Sequence, residues 1–257
     1  MLATFVVNNP GDIDMDGNAL PGTLRQAIEL ANATTAPDTI IFSEDDLPFG
    51  AVINLQRTEN AGGELVVTEP LTILGPGPDK LTVRAAGGNR VFNLNVREED
   101  AAFPVFIGGM TITDGSISGA EDTDVGGAIF NRERLTLREV VLSNNFASQG
   151  GGALYNAFGR VLIDRRLLIN NSAGLGGGAL LNGPEAYSFD GPLSMTVQNS
   201  TISGNTAGGD GGGVLNRIGT VTINSSTIRE NTGYYGGGVP RQSRPEGEEK
   251  NAPTPNV

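Results

Sequence analysis

Gly126-Gly127-Ala128-Ile129 is followed by Gly151-Gly152-Ala153-Leu154, Gly177-Gly178-Ala179-Leu180, Gly211-Gly212-Gly213-Val214 and Gly236-Gly237-Gly238-Val239. Successive starts lie 25, 26, 34 and 25 residues apart. A period of this length marks stacked supersecondary units, each burying its apolar face against its neighbours. A second phrase recurs in register with the first, at Leu137, Leu142 and Asn145; Ile163, Leu168 and Asn171; Val197, Ile202 and Asn205; and Ile223, Ile228 and Asn231. A further asparagine follows each of the first four glycine runs, at Asn131, Asn156, Asn182 and Asn216.

These intervals are too short and too glycine-rich for helical pairs, and segments such as Leu135-Thr136-Leu137 and Val221-Thr222-Ile223 alternate as strands do. The pattern predicts a chain wound into a coil of about three short strands per turn. Each strand would pair with its counterpart one turn on, roughly 4.8 Å away. Apolar columns then fill the bore, and asparagines at the corners stack into ladders of side-chain amides. The glycines admit positive φ and close backbone approach at the corners.

The chain in order agrees with a single solenoid. Thr23 suits a helix N-cap with Gln26 as its capping-box partner, and Leu24, Ala27, Ile28 and Ala31 form one apolar face. A helix in that place is expected to cover the open end of the first coil. Residues 1–105 read as this helix and irregular first coils, 106–240 as regular coils, and 241–257 as a flexible tail rich in charge and proline. About nine extra residues in the third repeat, around Gly183 to Pro192, and the stretch from Gly115 to Val125 read as loops bordering a groove.

Composition excludes several function classes. The chain has no histidine and no cysteine, which removes the commonest general base, the usual zinc ligands, disulfides and thiolate chemistry. Its net charge of −12 repels nucleic-acid backbones and anionic membrane surfaces, so neither is expected as a partner. No apolar run is long enough to span a bilayer as a helix, so no membrane insertion is expected. Met1-Leu2-Ala3-Thr4-Phe5 lacks the basic and apolar regions of an export signal, which is therefore expected to be missing from this sequence.

The Gly-Gly-Ala-[Ile/Leu] phrase alternating with apolar-x-x-Asn, as in Leu142-Ser143-Asn144-Asn145 and Ile228-Arg229-Glu230-Asn231, resembles the repeats of right-handed parallel β-helix proteins of the pectin-lyase-like superfamily. It is similar in particular to the polymorphic outer-membrane-protein repeats of bacterial surface proteins. Gly22-Thr23-Leu24-Arg25-Gln26-Ala27-Ile28 resembles the CSLREA-type opening segment of large secreted bacterial β-helix proteins, with Gly22-Thr23 in place of Cys-Ser. The resemblance covers about residues 4–239. It implies an all-β, right-handed, single-stranded parallel β-helix with an N-terminal amphipathic capping helix, secreted or at the cell surface. Fold alone conveys no activity.

Asp12-x-Asp14-x-Asp16-Gly17-Asn18 resembles the start of an EF-hand or dockerin loop, so Asp12, Asp14, Asp16 and Asn18 are candidate Ca²⁺ ligands. The bidentate glutamate expected at the twelfth position is replaced by Thr23. For catalysis the groove candidates are Asp114, Asp122, Asp124, Asp164 and Asp190, with Arg165 beside them, though no spacing selects a carboxylate pair. Arg165-Arg166 breaks the internal pattern, since the next two repeats carry Asn199-Ser200 and Ser225-Ser226 there. Arginines on an outer solenoid face are ordinarily solvated. The leading expectation is a non-catalytic surface module, an adhesin, stalk or scaffold with a polysaccharide or surface glycan as partner. A polysaccharide lyase or glycoside hydrolase working in the groove is the alternative. Self-association through the solenoid ends, giving a surface filament, is the third reading.

Overall fold

The computed structural model describes residues 2–56, 63–85, 87–94, 102–119, 124–184 and 193–239. They form an all-β parallel solenoid of about six turns with one short helix. Residues 120–123, 185–192 and 240–257 lie outside this set, so the expectations for Asp122, Asp190, most of the inserted loop and the tail fall outside the described residues.

Each regular coil contributes four strand segments to three parallel sheets, where the sequence pattern suggested about three strands. In the coil after the second glycine phrase these are Arg160–Asp164, Leu167–Ile169, Ser172–Ala173 and Leu180–Asn182. The first two belong to one bent sheet, and in earlier coils the same two segments run through as single strands, Pro104–Thr113 and Arg134–Ser143. The bend has a clear origin. One residue per coil, in the column Gly109, Glu139, Arg165, Asn199 and Ser225, takes a left-handed backbone with φ between 46° and 64°. A second left-handed column, Asp114, Asn144, Asn170, Gly204 and Glu230, turns the chain into the short third-sheet strand. Eight of these ten corners are non-glycine, at a cost of roughly 1 kcal/mol each, and most carry short polar side chains that tolerate the conformation.

Glycine is demanded elsewhere. Gly126, Gly151, Gly177 and Gly211 have φ near 65°. The glycine after each sits where coils touch, since a Cβ on Gly152 would collide with the carbonyl oxygens of Ser172 and Gly178, and one on Gly178 with those of Thr206 and Gly212. No side chain fits between backbones that close.

Inside, like stacks on like. Ile40, Ile73, Ile107, Leu137, Ile163, Val197 and Ile223 are successive partners in the first sheet, and the first six are buried. The irregular first coils therefore share one bore with the regular ones, although among the described residues the third sheet starts only at Ser116–Ile117, and Val67 and Leu94 stand where the next coil carries Asn131. Each such buried aliphatic side chain contributes about 1.5–3 kcal/mol.

The two asparagine columns form the expected ladders. Asn131, Asn156, Asn182 and Asn216 are joined by Nδ2-to-Oδ1 bonds of 2.8, 2.8 and 2.9 Å. Asn145, Asn171, Asn205 and Asn231 are joined by bonds of 2.9, 3.0 and 2.8 Å. In the second column the Oδ1 of Asn171, Asn205 and Asn231 also accepts the backbone N–H of the asparagine one coil earlier, that of Asn145 accepts the Gly115 N–H, and each Nδ2 also donates to a strand carbonyl of an earlier coil, as Asn171 does to Leu142.

The helix, Leu24–Asn32 (α1), buries Leu24, Ala27, Ile28 and Ala31 against strands Thr4–Val7, Asp38–Phe42 and Leu65–Val67. Thr23 accepts the Gln26 N–H as the N-cap, while Gln26 reaches past the cap to accept from the Gly22 N–H at 2.7 Å. Strand Leu65–Val67 ends the second sheet, and α1 meets its open side with side chains. Asn32 donates to the Val66 carbonyl and accepts from the Thr68 N–H, and Arg25 donates to the carbonyls of Gly63 and Glu64.

Candidate functional site

The acidic turn before α1 splits its four candidate ligands. Asp12 is buried, and its carboxylate takes a two-pronged ion pair from Arg25, at 2.7 and 3.0 Å, and the Gln56 N–H at 2.6 Å. Asp14 instead closes the turn, accepting from the N–H groups of Asp16 and Asn18 and from the Asn18 amide. Those bonds, the Asn18 N–H foremost, hold the Asp14 carboxyl below the usual carboxylate range. Among the described residues no three acidic side chains converge as a metal group, so the Ca²⁺ expectation rests on Asp14, Asp16 and Asn18 without Asp12.

The role of Asp12 is separable by experiment. Asp12→Asn keeps the shape but removes the charge opposite a buried guanidinium, and stability is expected to fall by about 2 kcal/mol. Thermal melts in EDTA and in millimolar Ca²⁺ should show equal losses, whereas a lost calcium ligand would matter only with calcium present.

The groove candidates are dispersed. Asp114 sits at a left-handed corner, 2.9 Å from Arg84 Nε. Asp124 is buried near Arg90, whose pKa burial pushes below its usual value against the favourable charges of Glu64, at 3.2 Å, and Asp124. Asp164 ends an outer strand and accepts from Asn199 at 2.9 Å and Gln198 at 3.3 Å, with Arg138 at 3.9 Å. The Asn199 amide first, then Gln198 and the arginines, hold the Asp164 carboxyl below the usual range. A glycosidase acid needs the opposite shift.

Arg165 and Arg166 part company. Arg165 occupies the left-handed corner and points outward, 3.7 Å from Glu139. Arg166 turns into the bore, against the expectation of an outer, solvated pair. It falls in the column of Met110, Val140, Ser200 and Ser226, is 4% exposed, and none of its three guanidinium nitrogens has a hydrogen-bond partner. Burial pushes its pKa down to about 9, against the favourable fields of Asp164 and Glu139. The inward position follows from register, because the residue after each first-column corner faces inside.

A second apolar cluster, not foreseen in the sequence, lies on the outward side of the second sheet. Tyr155 and Leu181 are buried there beside Phe130, Phe158 and Leu215. The Arg132 guanidinium lies 5.5 Å from the Phe130 ring and 5.2 Å from that of Phe158. The signal was present as Phe130, Tyr155, Leu181 and Leu215, one per coil between the inward Ile, Leu or Val and the ladder asparagine.

Fold and ladders together define a parallel β-solenoid built from a repeated coil. Residues 139–157, part of one coil and holding Asn145, the second glycine phrase and Asn156, match the family model of the Chlamydia polymorphic membrane protein repeat. The matched repeat and the solenoid fit a protein of the polymorphic-membrane-protein β-helix type. No curated protein matches the chain. No solved structure matches it either.

Proposed function

We propose that the chain is a non-catalytic module of a bacterial surface or outer-membrane-associated protein, serving as adhesin, stalk or scaffold. The observation that carries this reading is the fate of the candidate acids. Asp12, Asp114 and Asp164 are each engaged by neighbouring side chains, and Asp164 is held ionised rather than primed to donate a proton. The repeated polar residues serve the winding itself, as the two asparagine ladders do. The matched repeat, described as that of a membrane protein of Chlamydia, supports the location.

Two measurements test this. Antibodies against the chain should label intact cells of its source without permeabilisation. A screen of neutral and acidic polysaccharides, with and without Ca²⁺, should give no new reducing ends and no unsaturated products. Turnover that disappears in Asp164→Asn or Arg165→Ala would make the groove catalytic and end the proposal.

A further inference from the structure

The outer face of the first sheet carries a feature the winding does not use. Arg134 and Arg160 are direct partners on adjacent coils, both exposed, at the rim of a shallow cleft of about 310 Å³. Their register neighbours on either side are Pro104 and Ser194, neither charged. Among the described residues neither guanidinium makes an ion pair or a side-chain hydrogen bond, although the chain has 29 acidic residues against 17 basic. The adjacent Glu133 is no counter-charge on this face, being buried with its Oε2 on the Phe103 N–H. Two like charges in register on strands about 4.8 Å apart repel, and no acidic side chain among the described residues pairs with either. The cleft floor continues as Thr136, Leu162 and Thr196, a mildly apolar strip with hydroxyls.

We propose that this cleft binds a sulfate ester of a sparsely charged glycan, with Arg134 and Arg160 sharing the sulfate and the Thr136-Leu162-Thr196 strip under the sugar. The chemistry selects the group. A planar carboxylate offers a single edge of two oxygens, whereas the three terminal oxygens of a sulfate ester form a tetrahedral array, so two guanidinium forks one coil apart can each take a different edge with one oxygen shared. The net charge selects the polymer. At −12 the protein repels dense polyanions at long range, while a local pair of arginines acts within the roughly 8 Å over which salt leaves charges unscreened. The inference rests on the surface-module reading and names a ligand for it.

The test uses the full chain and a galactan with one sulfate per disaccharide, alongside the same galactan desulfated and a polygalacturonate. Binding to immobilised polymer should be seen with the sulfated form, should weaken at least tenfold on desulfation, and should weaken with added salt. Arg134→Ala/Arg160→Ala should lose at least tenfold, while Arg229→Ala, an arginine already paired with Glu230, changes binding less than twofold. Both altered side chains are exposed, so the melting temperature should hold. Failure of the sulfated galactan to bind, equal binding by the double variant, or equal binding to polygalacturonate overturns the proposal. Each of these leaves surface labelling of intact cells unaffected, so the broader reading is judged separately.

Discussion

Asn171→Ala lowers the stability of the solenoid by roughly 4–6 kcal/mol, a large effect for one uncharged side chain. Asn171 sits in the middle of its ladder and is buried. Its Oδ1 is the acceptor for both the backbone N–H and the amide of Asn145, at 3.1 and 2.9 Å, and its Nδ2 bonds the Leu142 carbonyl and Asn205. Alanine leaves two buried donors of Asn145 without an acceptor, where water cannot reach them, and each such group costs about 1–3 kcal/mol. The neighbouring Asn170 is the control, being exposed at a left-handed corner. Asn170→Gly suits the backbone there and is expected to stay within about 0.5 kcal/mol of wild type. Denaturant melts of the two variants should therefore separate sharply although the positions are adjacent in the chain.

Arg166→Met should do the opposite and stabilise the fold by about 3 kcal/mol, raising the melting temperature by roughly 6–12 °C. Met110 already occupies the same column two coils earlier, fully buried, so the replacement has the right shape and polarity. The gain comes from removing a charge held in the bore with no partner for any of its nitrogens. The wild type carries a pH signature of the same cost. Its folded-state pKa, about 9, lies below that of the unfolded chain, so at neutral pH the protonated guanidinium disfavours the native state. Stability from this group therefore increases as pH rises through about 9, and melts between pH 7 and 10 should show that rise in wild type and lose it in Arg166→Met.

Much of the winding could be read from the sequence, because parallel in-register stacking copies a residue type from coil to coil. The bore column from Leu137 to Ile223, both asparagine files and the paired glycines all appear as repeats at the coil spacing, whereas Ile40, Ile73 and Ile107 join that column only once strand register is known. The non-glycine corners were not legible, since Glu139, Arg165, Asn199 and Ser225 share a backbone conformation and no chemistry. The same gap hid the fate of Arg166, because only the bend before it decides that its side chain faces inward. The candidate site was legible in part. The alternation Asp12, Asp14, Asp16 suggested one shared cation, but the pairing of Asp12 with Arg25 depends on a helix turn arriving from 13 residues later. The Arg134–Arg160 pair is spaced by 26 residues, and becomes a feature only once strand register is known.

The asparagine file from 145 to 231 has a direction. Every carbonyl oxygen in it serves the coil before, so the donors of Asn145 wait for Asn171, and those of Asn171 for Asn205. A chain emerging N-terminus first from a ribosome thus presents, at its newest turn along this file, an amide in need of the next. Assembly has an arrow built into it, and each added turn completes its predecessor.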